Sequence, residues 1–183
     1  MTTGGDCPDM DNPKAELRPH ERFGKGVFAR EPIAAGETIA SFDGETYTAQ
    51  NGVELPPRVF DHGMQISPDQ FRDSSGFARF INHSCQPNCG VKNLVDIVAM
   101  RPIAAGEECS WDYDMSDNSD WVLHCLCEAN RCRHVLLGYR HLPISFRDEY
   151  RGFISEYLLG EPNPLPIPEI ELRKHPGFQE DWL

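Results

Sequence analysis

The stretch Arg79-Phe80-Ile81-Asn82-His83-Ser84-Cys85-Gln86-Pro87-Asn88 decides the fold of this chain. Two bulky apolar side chains precede a run of polar groups. For an asparagine and a histidine taken alone, a buried turn with satisfied hydrogen bonds is the commoner explanation. What the stretch means therefore depends on the other patterns that the chain carries.

A cysteine cluster lies further along the chain, at Cys125, Cys127 and Cys132. Three thiolates this close together readily converge on one metal ion, and a structural zinc site needs four ligands. Spacing alone leaves the fourth ligand open among Cys7, Cys85, Cys89, Cys109, His124 and His134. The less favoured alternative, three unligated thiols in a loop, would leave clustered thiols open to oxidation.

Composition limits the class of protein. The 183 residues suffice for one hydrophobic core, and 39% hydrophobic residues with ten Phe exclude a wholly disordered chain. The formal net charge of −12 opposes binding to nucleic acid or anionic membranes and favours a basic partner. Seven cysteines, three of them clustered, indicate metal ligation in a reducing compartment. No apolar run reaches the roughly 18 residues of a membrane span, so we expect a soluble intracellular protein of the cytoplasm or nucleus.

The order of patterns along the chain predicts its organisation. Residues 1–18 are polar with little apolar periodicity, which predicts a flexible lead-in. Short alternating runs such as Thr38-Ile39-Ala40-Ser41-Phe42, closed by turn residues, predict a succession of short strands. Apolar residues three and four apart from Phe146 to Leu159 predict an amphipathic helix on the core. Alternate prolines from Pro162 to Pro168 then predict an extended strap or a loose tail to the end of the chain.

One connector occurs twice, at 29–37 and at 99–107. Each copy reads as a strand, a turn begun by proline, a glycine and a further strand. The flanks of the two copies do not match beyond the turn. We therefore expect a common connector used twice rather than a duplication, and no function depends on it.

The segment from Arg79 to Asn88 resembles, over its whole length, the signature of the SET-domain protein lysine methyltransferases. Three further features follow the order found in that family. Phe23-Gly24-Lys25-Gly26-Val27-Phe28 resembles its Gly-x-Gly segment. Gly106-Glu107-Glu108-Cys109-Ser110-Trp111-Asp112-Tyr113 resembles its Gly-Glu-Glu-Leu-x-Tyr/Phe-Asp-Tyr motif, and the cysteine cluster resembles its post-SET zinc knuckle.

The resemblance implies a mainly β fold of small sheets with a pseudoknot, plus a C-terminal helix. It divides the chain into a lead-in at 1–18, a SET domain at 19–116, a post-SET zinc knuckle at 117–138, and a C-terminal helix with the Pro-rich tail at 139–183. It also implies an enzyme that transfers a methyl group from S-adenosylmethionine to a lysine of a protein, which we expect to be basic.

The same resemblance assigns roles to individual residues. Tyr113 is the catalytic residue, and Cys85 is the fourth zinc ligand beside Cys125, Cys127 and Cys132. The cofactor-binding residues that it implies are Phe23, Gly24, Lys25, Gly26, Asn82, His83, Tyr113 and Leu126.

Three positions in the implied substrate channel depart from the family pattern. Trp111 stands where the family usually has Tyr or Phe, His62 lies where a channel Tyr is frequent, and Phe42 occupies a position often held by Tyr. Trp111 either narrows the amine pocket or points elsewhere. These departures leave open a second class of function, a SET-like zinc-stapled module that binds basic segments with weak or no methyl transfer. A purely structural zinc domain is a third alternative, which would need neither Asn82 nor Tyr113.

Overall fold

The computed structural model describes residues 11–49, 54–177 and 179–180. In these residues the chain is mainly β, which confirms the predicted fold class. The strands are β1 Ala15–His20, β2 Gly24–Ala29, β3 Thr38–Ser41, β4 Thr46–Thr48, β5 Met64–Ser67, β6 Gln70–Arg72, β7 Asn82–His83, β8 Cys89–Lys92, β9 Asp96–Ala99, β10 Glu108–Trp111, β11 Leu123–His124 and β12 Val135–Leu136. The α-helices are α1 Pro57–His62, α2 Ile144–Glu149 and α3 Glu169–Arg173. Single 3-10 turns lie at Ala78–Phe80, Tyr113–Met115, Tyr139–His141 and Glu156–Leu158.

Among the described helices, none has both the length and the apolar character that crossing a membrane requires.

Strand β10 connects the parts of the largest sheet, whose order is β1-β2-β10-β8-β9-β3 with β7 also paired to β10. It runs antiparallel to β2 and parallel to β7 and β8. The backbone N–H of Ser84 donates to the carbonyl of Trp111 at 3.1 Å, and that of Asn88 to Ser110 at 3.2 Å. These bonds bring the signature segment against the motif that ends at Tyr113. Two smaller sheets have the orders β4-β6-β5 and β11-β12.

One hydrophobic core is shared by the strands and the C-terminal region. Ile39, Ile97 and Ile103 are at most 1% exposed. Consecutive residues of β3 and β9 are buried, so both faces of these strands are covered. Tyr150, which follows α2, is fully buried among them, and its hydroxyl donates to the carbonyl of Cys85 at 3.4 Å. The C-terminal region is therefore part of the same packing unit as the sheet.

The two copies of the repeated connector pair with each other. Ile33 and Ile103 exchange both backbone hydrogen bonds at 3.0 Å. Each copy turns at its glycine, where φ is 81° in the first and 85° in the second, a conformation that strains any other residue. The final glutamate of each repeat, Glu37 or Glu107, accepts from a backbone N–H three residues earlier. The two copies thus form a pair of exposed turns, each anchored in the core by its buried isoleucine, Ile33 or Ile103.

The sheet begins earlier than residue 19. Strand β1 starts at Ala15 and pairs along its whole length with β2. Asn12 fixes the approach to this strand, since its N–H donates to the carbonyl of Ile39 at 2.8 Å and its side chain to that of Thr38 at 2.7 Å. The flexible lead-in expected through residue 18 is therefore corrected for residues 15–18, which gain order from a strand that their own polarity does not reveal. Residues 1–10 lie outside the described part of the chain.

The helix predicted from Phe146 to Leu159 is much shorter than its apolar spacing suggested. Helix α2 ends at Glu149, and Gly152 has a φ of 83°, which ends helical geometry. The next carbonyl, that of Phe153, accepts from the N–H of Val91 at 2.9 Å in β8. Of the predicted apolar positions, Phe146, Tyr150, Ile154 and Leu158 are buried, whereas Phe153 and Tyr157 are half-buried. The continuous helix is not formed.

The chain after Gly160 crosses the surface as a strap, which we define as residues 160–177. The N–H of Leu165 donates to the carbonyl of Arg140 at 2.7 Å, and Arg147 donates to that of Pro162 at 2.8 Å. The prolines precede α3, a helix that their spacing did not predict. His175 follows α3 and is only 7% exposed. The described part of this region is thus anchored to the domain.

Candidate active site and metal centre

Cys85, Cys125 and Cys127 meet where the signature segment faces the β11-β12 hairpin, and Cys132 packs against them. The sulfurs of Cys85 and Cys125 lie 3.9 Å apart, and a tetrahedral ion with Zn–S bonds of about 2.3 Å sets its sulfurs about 3.8 Å apart. Backbone N–H groups point at three of the sulfurs: Cys85 N to Cys127 Sγ at 3.5 Å, Arg133 N to Cys85 Sγ at 3.3 Å, and His134 N to Cys132 Sγ at 3.4 Å. Such donors favour thiolates, so the residues present fit a zinc ion.

The thiols of this cluster also influence one another. The neighbouring Cys125 thiol raises the pKa of Cys85 and lowers that of Cys127, and contact with Cys125 lowers the pKa of Cys132 to about 7. Sulfurs this close cannot all ionise without a cation between them. The chemistry of the donor set therefore also favours a bound metal.

His83 joins this cluster, which the sequence did not indicate. One ligand atom from each of His83, Cys85, Cys125 and Cys127 lies within 4.8 Å of the others. The imidazole Nδ1 accepts from the N–H of Tyr113 at 3.3 Å, while Nε2 lies 3.3 Å from the sulfur of Cys85. With Nδ1 occupied as an acceptor, Nε2 carries the proton and donates to sulfur. This arrangement suits His83 as a hydrogen-bond donor to the sulfur of Cys85. Cys132, which the resemblance implies as a ligand, lies beside this group of four rather than in it.

The other ligands left open by spacing lie elsewhere. Cys89 and Cys109 are fully buried in the main core, where burial raises the pKa of the Cys89 thiol well above its usual value. His124 and His134 flank the cluster and face His175, with ring centroids 5.8 and 5.9 Å from it. Cys7 lies outside the described residues.

We call the surface around the turn at residues 23–26, between Asn82 and Leu126, the groove. Phe23, Gly24 and Lys25 are exposed, and Gly24 has a φ of 74° with open space where a Cβ would stand. Gly26 is buried, and a Cβ there would lie 2.6 Å from Oε1 of Glu108. These glycines leave bare backbone on one side of the turn and permit close packing on the other.

Asn82 closes the inner end of this groove. Its side-chain N–H groups donate to the carbonyl of Lys25 at 2.9 Å and to Oε1 of Glu108 at 2.8 Å. Both donors are used inside the protein, so the amide oxygen is left to accept from a ligand. The Glu108 carboxylate beside it was not assigned a role from the sequence, although it lies in the Gly106–Tyr113 motif.

Two exposed apolar side chains flank the outer end of the groove. Phe23 is 38% exposed and stacks on His20 at 4.7 Å, and Leu126 of the knuckle is 48% exposed. Arg22 connects these two sides, donating to the carbonyl of Leu126 at 2.9 Å and pairing with Glu128 at 2.6 Å. Such a site is suited to a flat, partly apolar ligand group.

A cavity of about 780 Å³ opens on the other side of Asn82 and the signature segment. All four residues assigned to chemistry or to the channel line it: Phe42, His62, Trp111 and Tyr113. Phe42 and Trp111 are buried with rings 6.5 Å apart, whereas His62 is exposed at the end of α1. Acidic residues also line the cavity: Glu54, Asp61, Asp117 and Asp120.

Tyr113 lies between the cavity and the groove. Its hydroxyl donates to the carbonyl of Ile81 at 3.3 Å, immediately before Asn82. Burial raises the pKa of this hydroxyl well above its usual value, so it stays protonated at neutral pH. Trp121, which the sequence did not single out, adds a further wall with its ring 6.4 Å from that of Tyr113.

Comparison with known proteins places this geometry in a family. Residues 24–114 match the SET domain family model; Asn82 and Tyr113 lie inside the match, whereas Phe23 and Leu126 lie outside it. The chain carries a SET domain. It is 34% identical over 130 residues to the H3 lysine-4 specific histone-lysine N-methyltransferase of Candida albicans, covering 61% of this chain and 12% of that protein. It is 32% identical over 127 residues to the histone-lysine N-methyltransferase set1 of Dictyostelium discoideum, covering 61% of this chain and 8% of that protein.

A solved SET-domain structure is also similar. The crystal structure of KRYPTONITE in complex with mCHH DNA, H3(1-15) peptide and SAH superposes with a TM-score of 0.52 and 27% identity, covering 67% of this chain and 29% of that one. The present chain therefore spans only a small part of the length of the proteins it matches.

An ionic network beneath Tyr113 connects the SET domain to the knuckle. Arg133 bonds both carboxylate oxygens of Asp112 and lies 2.9 Å from Asp114, and all three side chains are almost fully buried. Burial would raise the pKa of Asp112, but the Arg133 guanidinium outweighs it and that pKa lies below its usual range. Burial raises the pKa of Asp114 to about 7 although Arg133 opposes this. The two carboxylates flank Tyr113, so Arg133 holds the turn that carries it.

Proposed function

We propose that this chain is a protein lysine methyltransferase that uses S-adenosylmethionine and carries a structural zinc ion. The observation that supports this most is the position of Tyr113, which lines the cavity and bonds the carbonyl of Ile81 beside the groove at Asn82. A methyltransferase needs two such sites that meet at one reacting atom. The relatives named above are histone-lysine N-methyltransferases, and the KRYPTONITE complex contains SAH.

The groove residues suit the proposed cofactor. The amide oxygen of Asn82 would accept a hydrogen bond from the ammonium group at the amino-acid end of the cofactor. The bare backbone at Gly24 would lie against the same end of the cofactor. Phe23 and Leu126 would contact the adenine, with the His83 backbone as a hydrogen-bonding partner. When bound, S-adenosylmethionine would supply a methyl group carried on a sulfonium sulfur. The neutral thioether that remains after transfer is already a good leaving group.

The cavity residues must deliver a neutral lysine amine. From a reference pKa of about 10.4, deprotonation at pH 7 costs roughly 4–5 kcal/mol. The aromatic walls formed by Phe42, Trp111 and Trp121 lower this cost, because an apolar channel disfavours the ammonium form. The protonated hydroxyl of Tyr113 already donates to Ile81, so it can accept an N–H of the amine and orient its lone pair.

The substrate that fits the cavity is a lysine within a basic protein segment. Of the acidic lining residues, Glu54, Asp61 and Asp120 are exposed. Asp120 pairs with Arg140, so Glu54 and Asp61 are the ones that would attract positive charge. The KRYPTONITE complex contains an H3 peptide, which makes a histone tail a reasonable first substrate and the nucleus a reasonable place of action. Our expectation that the chain itself binds no nucleic acid has no support from the comparisons, since that complex also contains DNA.

Methyl-labelled S-adenosylmethionine with a panel of basic proteins tests the proposal. We expect label on lysine, located by mass spectrometry, and binding of S-adenosylhomocysteine measured by calorimetry. Asn82→Ala should weaken that binding about ten- to a hundredfold, because it removes a hydrogen bond to a charged group. Cofactor binding without transfer to any protein would favour the alternative of a binding module, and no cofactor binding would contradict both.

A further inference from the structure

Near its C-terminal end, the strap carries a histidine, His175, that is buried against the knuckle. His175 is 7% exposed, and its ring lies edge-on to those of His124 and His134. These two histidines flank the cysteine cluster, one just before Cys125 and the other two residues after Cys132. The strap therefore contacts the knuckle at its metal-binding end.

The hydrogen bonds of His175 fix its ring. Nδ1 accepts from the N–H of Gly177 at 2.9 Å, and Nε2 lies 2.9 Å from the carbonyl oxygen of Cys125. A carbonyl can only accept, so Nε2 carries the proton and donates. This neutral form satisfies both ring nitrogens, and the bond holds the backbone of a cysteine in the cluster.

The adjacent carbonyl is held from a different element. Arg22, in the turn before β2, donates to the carbonyl of Leu126 at 2.9 Å. Two consecutive carbonyls, those of Cys125 and Leu126, are thus bound by residues from opposite ends of the chain. Leu126 is also the knuckle residue that flanks the groove, so fixing this dipeptide fixes one wall of the groove.

The knuckle has little core of its own to hold this position. Its buried apolar cluster consists of Cys85, Cys125 and Leu136, with a few half-buried neighbours. The hairpin β11-β12 has two residues in each strand. Such a small unit opens easily unless outside contacts hold it.

We infer that His175 is a positioning residue and that the strap clamps the knuckle closed over the groove by its hydrogen bond to the carbonyl of Cys125. This inference rests on the proposed zinc knuckle. The bond acts on the ligand's backbone rather than on the metal, and outer contacts of this kind typically change metal affinity by ten- to a hundredfold. The clamp should therefore set how fast the knuckle opens.

Zinc release to a colorimetric chelator, measured on the full chain as purified with its metal, tests the clamp. His175→Ala should release zinc at least about tenfold faster than wild type and weaken binding of S-adenosylhomocysteine. His175→Gln keeps an N–H donor near the position of Nε2 and should restore release to within about threefold of wild type. Lys174→Ala, an exposed neighbour in the same strap, serves as the matched control and should leave release unchanged.

The outcomes distinguish this inference from the proposed function. Zinc-loaded His175→Ala protein that releases metal at the wild-type rate would overturn the clamp alone. Glutamine behaving like alanine would overturn the role of the hydrogen bond. Wild-type protein purified without zinc would overturn both the zinc assignment and the clamp. This holds whether or not that protein binds the cofactor.

Discussion

At Tyr113 the ring and the hydroxyl have separable tasks. The ring packs 5.2 Å from those of His83 and Trp111, while the hydroxyl donates to Ile81 at the point where groove and cavity meet. Tyr113→Phe keeps the packing and removes only the oxygen. We expect this variant to bind S-adenosylhomocysteine within a few-fold of wild type and to lose about two orders of magnitude or more in transfer rate. Calorimetry and a labelled-methyl assay measure the two effects separately.

Tyr47 provides the matched control for that variant. Its hydroxyl donates to Glu45 at 2.7 Å on β4, and it is not among the residues that line the cavity. Tyr47→Phe should leave the transfer rate unchanged. Full activity in Tyr113→Phe combined with a loss in Tyr47→Phe would move the proposed role to Tyr47.

Cys85 is the proposed zinc ligand that would connect the signature segment to the knuckle. Cys85→Ser should lose zinc and lower the melting temperature, because a structural metal contributes folding free energy directly. Metal content by mass spectrometry and a thermal melt are the measurements. Cys7→Ser is the control and should change neither, while full zinc in Cys85→Ser would reassign the ligand, with His83 the first candidate on geometry.

Single residues differ in how far the sequence predicted them. Asn82, Cys85 and Tyr113 stand in motifs, and the structure brings them to one region. Arg133 and Trp121 were missed, because the burial of an arginine or the facing of a tryptophan depends on partners distant in sequence. The only sequence signal for Arg133 is its position directly after a cysteine of the cluster.

Among the elements, the paired turns should make the stability of the fold depend on pH in the acid range. Hydrogen bonds from Lys14, Asn12 and the turn backbone lower the pKa of Glu37 from 4.5 to about 2. A lowered folded-state pKa means that this stabilisation is complete above about pH 4.5 and is lost as the pH falls towards 2. Glu37→Gln should lower the free energy of unfolding at pH 7, by less than the pKa shift alone implies, because solvent screens this carboxylate. In urea melts, the free energy of unfolding of this variant should fall less steeply between pH 4.5 and 2 than that of wild type.

Glu107 occupies the equivalent position in the second turn, where Arg101 is its strongest partner and its pKa is also about 2. Glu107→Gln should therefore reproduce the effect of Glu37→Gln. An unchanged pH dependence in both variants would show that these turns do not contribute to acid sensitivity.

The elements at the C-terminus show where local patterns stop being informative. Spacing identified Phe146, Tyr150 and Leu158 as buried, and they are. It did not anticipate that Gly152 turns the chain so that Phe153 bonds to β8, because that bond depends on a strand some sixty residues earlier. Likewise, alternate prolines predicted an extended path but not α3 or the buried ring of His175, which depend on the knuckle beneath them.

At the scale of the whole molecule, two hydrophobic clusters of very different size meet at the candidate active site. The main cluster contains the sheet residues and reaches from Ala15 to Leu158, whereas the knuckle cluster is small and depends on its thiols. Tyr113 packs against both. The buried Arg133 connects them, since its N–H meets the sulfur of Cys85 and its guanidinium holds the carboxylates around Tyr113.

Removing zinc should therefore uncouple the two cores rather than unfold the chain. After chelation we expect far-UV circular dichroism to retain the β signal, because the main core needs no metal. Affinity for S-adenosylhomocysteine should fall at least about tenfold, because Leu126 and the turn at Tyr113 lose their support. Adding zinc back should restore binding. Complete unfolding on chelation would mean that the knuckle is required by the main core, and unchanged affinity would mean that the groove is formed without it.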